Sequence, residues 1–152
     1  MADIRMQLFR IWFRLARPMT LGARAIVENA QGQVLLVRHT YTKGLFLPGG
    51  GVERGETIET SLRRELEEEG GVEVTGGVSL LGIYSNHKIM RNDHVALYRV
   101  AAEAWRPCGD PIGREISQIL WVDPLRPPGD ATPGTLRRLR EVYEDVAVSS
   151  YW

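Results

Sequence analysis

The sequence has a single cysteine, Cys108, in 152 residues. An intramolecular disulfide is therefore excluded, and the chain suits a reducing, cytoplasmic setting. No His and Asn arrangement around that thiol argues for a nucleophile. Charge of one sign is also missing, because nineteen basic residues face nineteen acidic ones. A neutral chain gives no reason to expect a nucleic-acid partner, so a negatively charged ligand must be met by a local cluster or by a metal. Internal repeats and low-complexity segments are absent. The length fits one domain with a proper core.

The N-terminus, "MADIRMQLFRIWFRLARPMT", lacks a clean apolar run and a small-residue cleavage site, which argues against a secretory signal. Four arginines interrupt it, so it is not a membrane span. It reads as an amphipathic helix that ends before Pro18. Arg10, Arg14 and Arg17 share a narrow face with Gln7, while Ile4, Leu8, Phe9, Ile11, Trp12, Phe13 and Leu15 cover most of the rest. So wide an apolar arc must be buried against something. The favoured reading is docking on its own domain or on a partner subunit, as in a homodimer. A membrane surface or a targeting role is the lesser alternative. The expected organisation is an N-terminal element over residues 1–18 and one domain over 19–152.

Along that domain, "LGARAIVENAQGQVLLVRHT" predicts two strands around a turn at Asn29–Gly32, a β-hairpin. "YTKGLFLPGGG" reads as a loop with a brief strand at most. Thr57 to Glu69 is the clearest helix, with Ile58, Leu62 and Leu66 forming an apolar seam and Gly70 and Gly71 stopping it. Strands follow in "VEVTGGVSLLGIYS", "DHVALYRVAAEAW" and "ISQILWVDP". A last helix in "TPGTLRRLREVYEDVA" is capped by Thr132, with Pro133 in its first turn. Strands alternating with helices predict a mixed sheet in an α/β sandwich.

The most informative stretch is "GGGVERGETIETSLRRELEEEGG", residues 49–71. Glu65, Glu68 and Glu69 fall at i, i+3 and i+4 and share one helix face. Like charges so placed destabilise a helix. Pairs such as Arg63 to Glu67 and Arg64 to Glu68 would offset this on a merely solvated face. The glycines in front point elsewhere. They allow tight turns and close backbone approach to a ligand, and a glycine loop entering a helix presents N–H groups to anions. Convergent carboxylates are also what a hard divalent cation needs, since Mg²⁺ bridges them to substrate phosphates.

This stretch resembles the Nudix box, G-x5-E-x7-R-E-U-x-E-E-x-G-U, with U a bulky aliphatic. Gly50, Glu56, Arg64, Glu65, Leu66, Glu68, Glu69, Gly71 and Val72 fill every fixed position. The flanking layout is similar from about residue 20 to 147, including "LPGGG" and "EISQILWVDPL". The resemblance implies a Nudix α/β/α sandwich with a mixed sheet, preceded here by an additional N-terminal helix. It implies hydrolysis of a nucleoside diphosphate linked to another moiety, X. Glu65, Glu68 and Glu69 would bind Mg²⁺ or Mn²⁺, with the Gly50 carbonyl a further ligand, and Glu56 would pair with Arg64. Glu115 is placed to supply a fourth carboxylate; its plainer alternative is an exposed loop acid. Glu65 or Glu115 would take the proton from the attacking water.

Residues that would read the substrate are Gly50 and Gly51 through their backbone, Arg38 and Lys43 as phosphate contacts, and Tyr41 as a ring that stacks on a base or packs locally. Arg91, with His87 and Lys88, is a further phosphate candidate on a polar loop that otherwise reads as mobile surface. Trp105 and Trp121 read as packing. Signatures of the family's branches do not name X: no proline occurs between Pro48 and Pro107, where an ADP-ribose hydrolase would have one. The alternative to an enzyme is a nucleotide-binding or regulatory Nudix module without turnover, which a lost box glutamate would favour. None is lost.

Overall fold

The computed structural model describes residues 4–152. In chain order it contains α1 (Ile4–Ala16), β1 (Thr20–Val27), β2 (Val34–His39), β3 (Gly49–Gly51), α2 (Ile58–Gly70), β4 (Val72–Val74), β5 (Ser79–Ser85) and β6 (Asp93–Val100). A 3-10 turn at Ala102–Ala104 leads to β7 (Trp105–Pro107), β8 (Ile116–Val122) and α3 (Pro133–Tyr143). The main sheet runs β3-β1-β6-β5; β1 and β6 are parallel and the other neighbours antiparallel, so the sheet is mixed. Two antiparallel pairs, β2 with β8 and β4 with β7, form separate two-stranded sheets.

Alternation along the strands divides the core. Ala23, Ala25 and Val27 of β1 and Leu35 of β2 join Leu62 and Leu66 of α2 in one buried cluster. Ile26, Val34 and Leu36 point the other way, to Leu97, Val122 and Leu139 of α3. Successive side chains leave opposite faces of a strand, so one sheet carries a helix on each side. Trp105 and Trp121 stack at 5.4 Å and pack against the first cluster, as the sequence reading has them.

The expected hairpin is not formed. The turn is there: Asn29 Oδ1 accepts from the Gln31 and Gln33 amides, and Gly32 takes φ +74. But β1 and β2 share only the Glu28–Val34 bridge before they part. A strand has two edges, and β1 has both taken. The glycine run pairs with one, Gly22 to Gly51 and Arg24 to Gly49, and β6 with the other. β2 therefore turns to β8. A second expectation changes on α2, where Arg63 reaches back to Glu59 at 2.7 Å and to the Val74 and Gly76 carbonyls, not forward to Glu67.

The last residues return to the sheet. Ser85 and Trp152 exchange backbone bonds with the tail (Ser85 N–H to Ser150 O, Trp152 N–H to Ser85 O), so residues 150–152 extend the β5 edge. Arg138, fully buried, holds the tail through the Tyr151 carbonyl and pairs with Glu141 at 2.7 Å.

At the other end, α1 buries none of its residues. Docking on its own domain, one of the readings of its apolar arc, is not met in this chain. Among the described residues no helix is long and apolar enough to cross a membrane.

Candidate active site

α2 is the frame of the site. Thr57 caps its start by accepting from the Thr60 amide, and Gly71 ends it in the left-handed region at φ 61. The strand β3 is tied to this helix at two points. Ser61 donates its hydroxyl to the Gly51 carbonyl at 3.0 Å, and the Gly49 N–H donates to Glu69 Oε2 at 3.0 Å. Between the ties, a Cβ added to Gly50 would stand 2.5 Å from the Glu65 carboxyl carbon. Only a residue without a side chain lets that carboxylate lie on the backbone.

Arg64 organises the acids around it. Its guanidinium donates to both Glu56 oxygens, at 2.8 and 3.1 Å, and to Glu65 Oε1 at 2.7 Å. A longer contact, 3.4 Å, reaches Glu68. The Arg64 bond and the Glu53 amide hold the Glu56 carboxyl down at about 2. A group depressed from 4.5 to about 2 contributes stability that is present above pH 4.5 and lost as the pH falls through 2. Glu56→Gln is therefore expected to be less stable than the wild type at pH 6, with the two denaturation curves converging towards pH 2. A gap of constant size over that range would contradict the pairing.

The two inner glutamates are pushed the other way. Burial raises Glu69 to about 7, against the opposing pull of the Gly49 N–H and of Arg24, and with help from the charges of Glu65 and Glu115. Burial also raises Glu65, against Arg64. His39 Nδ1 lies 3.6 Å from Glu69 Oε1. Burial and Arg24 lower the His39 pKa, so this is a neutral contact and not an ion pair. The His39 ring is held between Tyr41 at 5.0 Å and Phe46 at 5.2 Å.

Adjacent desolvated carboxylates are costly without a cation. Hard oxygen donors on a backbone cradle fit Mg²⁺ or Mn²⁺. The set is not closed as it stands. Glu68 is 60% exposed and leans on Arg64, and Glu115 lies exposed on the loop before β8, where its charge still acts on Glu69, His39 and Tyr41. Among the described residues no three His, Cys, Asp or Glu form a ready-made cage.

A cleft of about 970 Å³ opens beside this group. Gly50 and Gly51 lie in its lining, together with Arg24, Phe46, Arg54, Asn86, Asp93, Arg137 and Trp152. Asp93 is buried and accepts from the Thr20 hydroxyl at 2.7 Å and the Asn86 amide at 2.8 Å.

The model of the NUDIX domain matches residues 18–146. The chain belongs to the Nudix family. It is 30% identical over 106 residues to an 8-oxo-dGTP diphosphatase of Haemophilus influenzae, covering 66% of this chain and 74% of that one. Over 134 residues it is 30% identical to a Nudix hydrolase of Deinococcus radiodurans, covering 80% of this chain and 77% of that one. A shorter match, 39% over 77 residues, joins it to an ADP-ribose pyrophosphatase of Methanocaldococcus jannaschii, covering 49% of this chain and 44% of that one. In fold it is similar to a MutT NUDIX hydrolase of Burkholderia pseudomallei, with TM-score 0.69 at 22% identity over 81% of this chain and 97% of that one. This protein is thus a Nudix hydrolase with the family's α/β fold and a helix, α1, ahead of its Nudix domain.

Within this Nudix domain the sequence-named residues separate into two groups. Gly50, Gly51, Glu56, Arg64, Glu65 and Glu69 come together around β3 and α2, with Glu68 at the rim. The other proposed substrate contacts lie apart from the cleft lining. Arg38 pairs with Asp130 at 2.7 Å and bonds Gln118. Tyr41, 71% exposed, stacks on His39. Lys43 and Arg91 are exposed. Arg24, Asn86 and Trp152 were not read as cleft residues. A hint was present for Arg24, an arginine within the otherwise apolar "GARAIV" of a strand.

Proposed function

We propose that this Nudix hydrolase is a metal-dependent pyrophosphohydrolase that cleaves the diphosphate of a nucleoside diphosphate linked to X. The observation that carries this reading is at Gly50. The same residue supports the Glu65 carboxylate and lines the cleft, so an anhydride in the cleft lies against the acidic group. Glu65, Glu68, Glu69 and the Gly50 carbonyl would hold Mg²⁺ or Mn²⁺. When bound, the ion neutralises phosphate charge and lowers the pKa of water.

The chain's own residues do the rest. Arg24, Arg54 and Arg137 bring positive charge to the cleft, and Phe46 and Trp152 bring flat apolar surface for a base. Arg64 fixes Glu56 and Glu65. Of the two candidate bases we favour Glu115. Glu65 already carries Arg64 at 2.7 Å, whereas Glu115 has no ion pair among the described residues. Water oxygen bonds to one phosphorus as the anhydride P–O bond breaks. The water proton passes to the carboxylate, and the leaving phosphate takes the bonding electrons. The products are a nucleoside monophosphate and a phosphorylated X.

The names of the relatives supply two probes, 8-oxo-dGTP and ADP-ribose. Hydrolysis of either in ¹⁸O-labelled water is expected to place one labelled oxygen on a phosphate of one product and none on a sugar carbon. Label at carbon, or products in which every P–O–P bond of the substrate survives, would overturn the reaction class.

A further inference from the structure

Nothing in the chemistry above uses α1, and none of its residues is buried among the described residues. Ile4 is 71% exposed, Leu15 77%, Leu8 61% and Trp12 58%. At 100° per residue its apolar side chains span roughly 220° of the circumference, and Gln7, Arg10, Arg14 and Arg17 hold a stripe of roughly 80°. Residues 4–17 contain four arginines and no acid. The remaining chain therefore has fifteen basic residues against nineteen acidic ones, a net charge of −4. The charge that balances it is carried by Arg5, Arg10 and Arg14 of α1 and by Arg17 just after it.

We propose that α1 seats the protein on an anionic lipid surface. Three features favour lipid over a second copy of the chain. The apolar arc is wider than a helix pair can cover, because a two-helix seam buries only a narrow stripe. A soft medium takes the whole arc and leaves the arginine stripe at the headgroups. Arg5 falls inside the apolar arc, and its long stem can carry the guanidinium to the headgroup level. Trp12 is the ring type that settles at a membrane interface, and Phe9 and Phe13 suit the apolar face of an interfacial helix. Met19, Ile89 and Met90, at 64%, 84% and 49% exposure, add apolar surface in the cleft lining. Only three residues separate α1 from β1, so docking holds the cleft near the lipid.

The test is sedimentation of the full chain with vesicles of phosphatidylcholine alone and of phosphatidylcholine mixed with phosphatidylglycerol. The expected result is binding to the mixed vesicles and not to the neutral ones. The triple variant Arg10→Gln, Arg14→Gln, Arg17→Gln is expected to lower the partition coefficient roughly 100-fold, from the contribution of each basic residue at an anionic surface. Trp12→Ser should weaken binding without altering charge. Since α1 buries nothing in the domain, hydrolysis of the probe nucleotides in solution should be unchanged in both variants, which keeps this test separate from the active-site reading. Protein left in the supernatant with mixed vesicles would overturn the proposal. So would a dimeric mass by light scattering that falls to 17.1 kDa in Trp12→Ser, which would assign the arc to a second copy.

Discussion

Glu69→Gln is expected to abolish metal-dependent turnover and, in the metal-free protein, to raise stability at pH 8. The first effect follows from removing a donor from the carboxylate set. Several kcal/mol of charge stabilisation are at stake, or about 10³-fold in kcat. The second follows from burial. The Glu69 carboxyl lies at about 7 in the folded chain against an ordinary 4.5. A carboxyl raised on folding is most favourable while protonated, so stability is full below pH 4.5 and lost as the pH rises through 7. Each pKa unit corresponds to about 1.4 kcal/mol, so the ionised group costs the metal-free fold about 3 kcal/mol at pH 8. Glutamine keeps an oxygen for the Gly49 N–H and carries no charge. Denaturation in the presence of chelator should therefore show the variant ahead by up to about 3 kcal/mol at pH 8 and level with the wild type at pH 4. Equal stability at both pH values would mean that Glu69 is not held as a desolvated anion. Saturating Mg²⁺ should narrow the gap at pH 8 by stabilising the wild type alone.

Two neighbouring glycines are expected to separate function from folding. Gly49 has φ +139, and a Cβ there would collide with the backbone of Ala23 and Arg24. Neither strand can move without breaking the β1–β3 pairing. Gly49→Ala should cost about 3 kcal/mol or more, from positive φ and overpacking together. At Gly50 the nearest atoms that a Cβ meets are those of the Glu65 carboxyl group, at 2.5 to 2.7 Å, the far end of a flexible side chain. Gly50→Ala should therefore fold with a loss within about 1 kcal/mol and yet displace Glu65. A fall of roughly 10²-fold in kcat is expected, the usual cost of misplacing a reacting group by about 1 Å. Thermal unfolding and turnover measured on both variants decide it. An active Gly50→Ala protein would show that Glu65 has no need of that position.

How much of this could be read from the sequence depended on distance along the chain. The box was legible because its geometry is local: i, i+3 and i+4 on a helix bring Glu65, Glu68 and Glu69 to one face wherever the helix lies. Thr57, Gly71, Thr132 and Pro133 marked helix ends by the same local chemistry. The hairpin was misread because turn residues at 29–32 specify a reversal, while the partners of β1 are chosen by which segments reach its two edges. Strand faces carried the same difficulty. Arg38 and Lys43 are close to the box in sequence but off the cleft, whereas Arg24, Asn86 and Trp152 meet there from positions up to 128 residues apart. Only the register of β1 on β6 and the return of the tail along β5 put them together. The apolar arc of α1 was plain in the sequence; what the structure added is that its own domain leaves that arc bare.

The central claim is that the buried glutamates of α2 hold a divalent ion for anhydride hydrolysis. It is tested most directly by the rate of nucleoside-monophosphate release from 8-oxo-dGTP, ADP-ribose and a panel of nucleoside triphosphates, nucleotide sugars and CDP-alcohols. Wild type and Glu69→Gln are measured side by side, with Mg²⁺ or Mn²⁺ and with chelator. Turnover of at least one compound, dependent on metal and lost in the variant, is the predicted result. Turnover that survives the chelator, or that Glu69→Gln retains at the wild-type rate, would contradict the account.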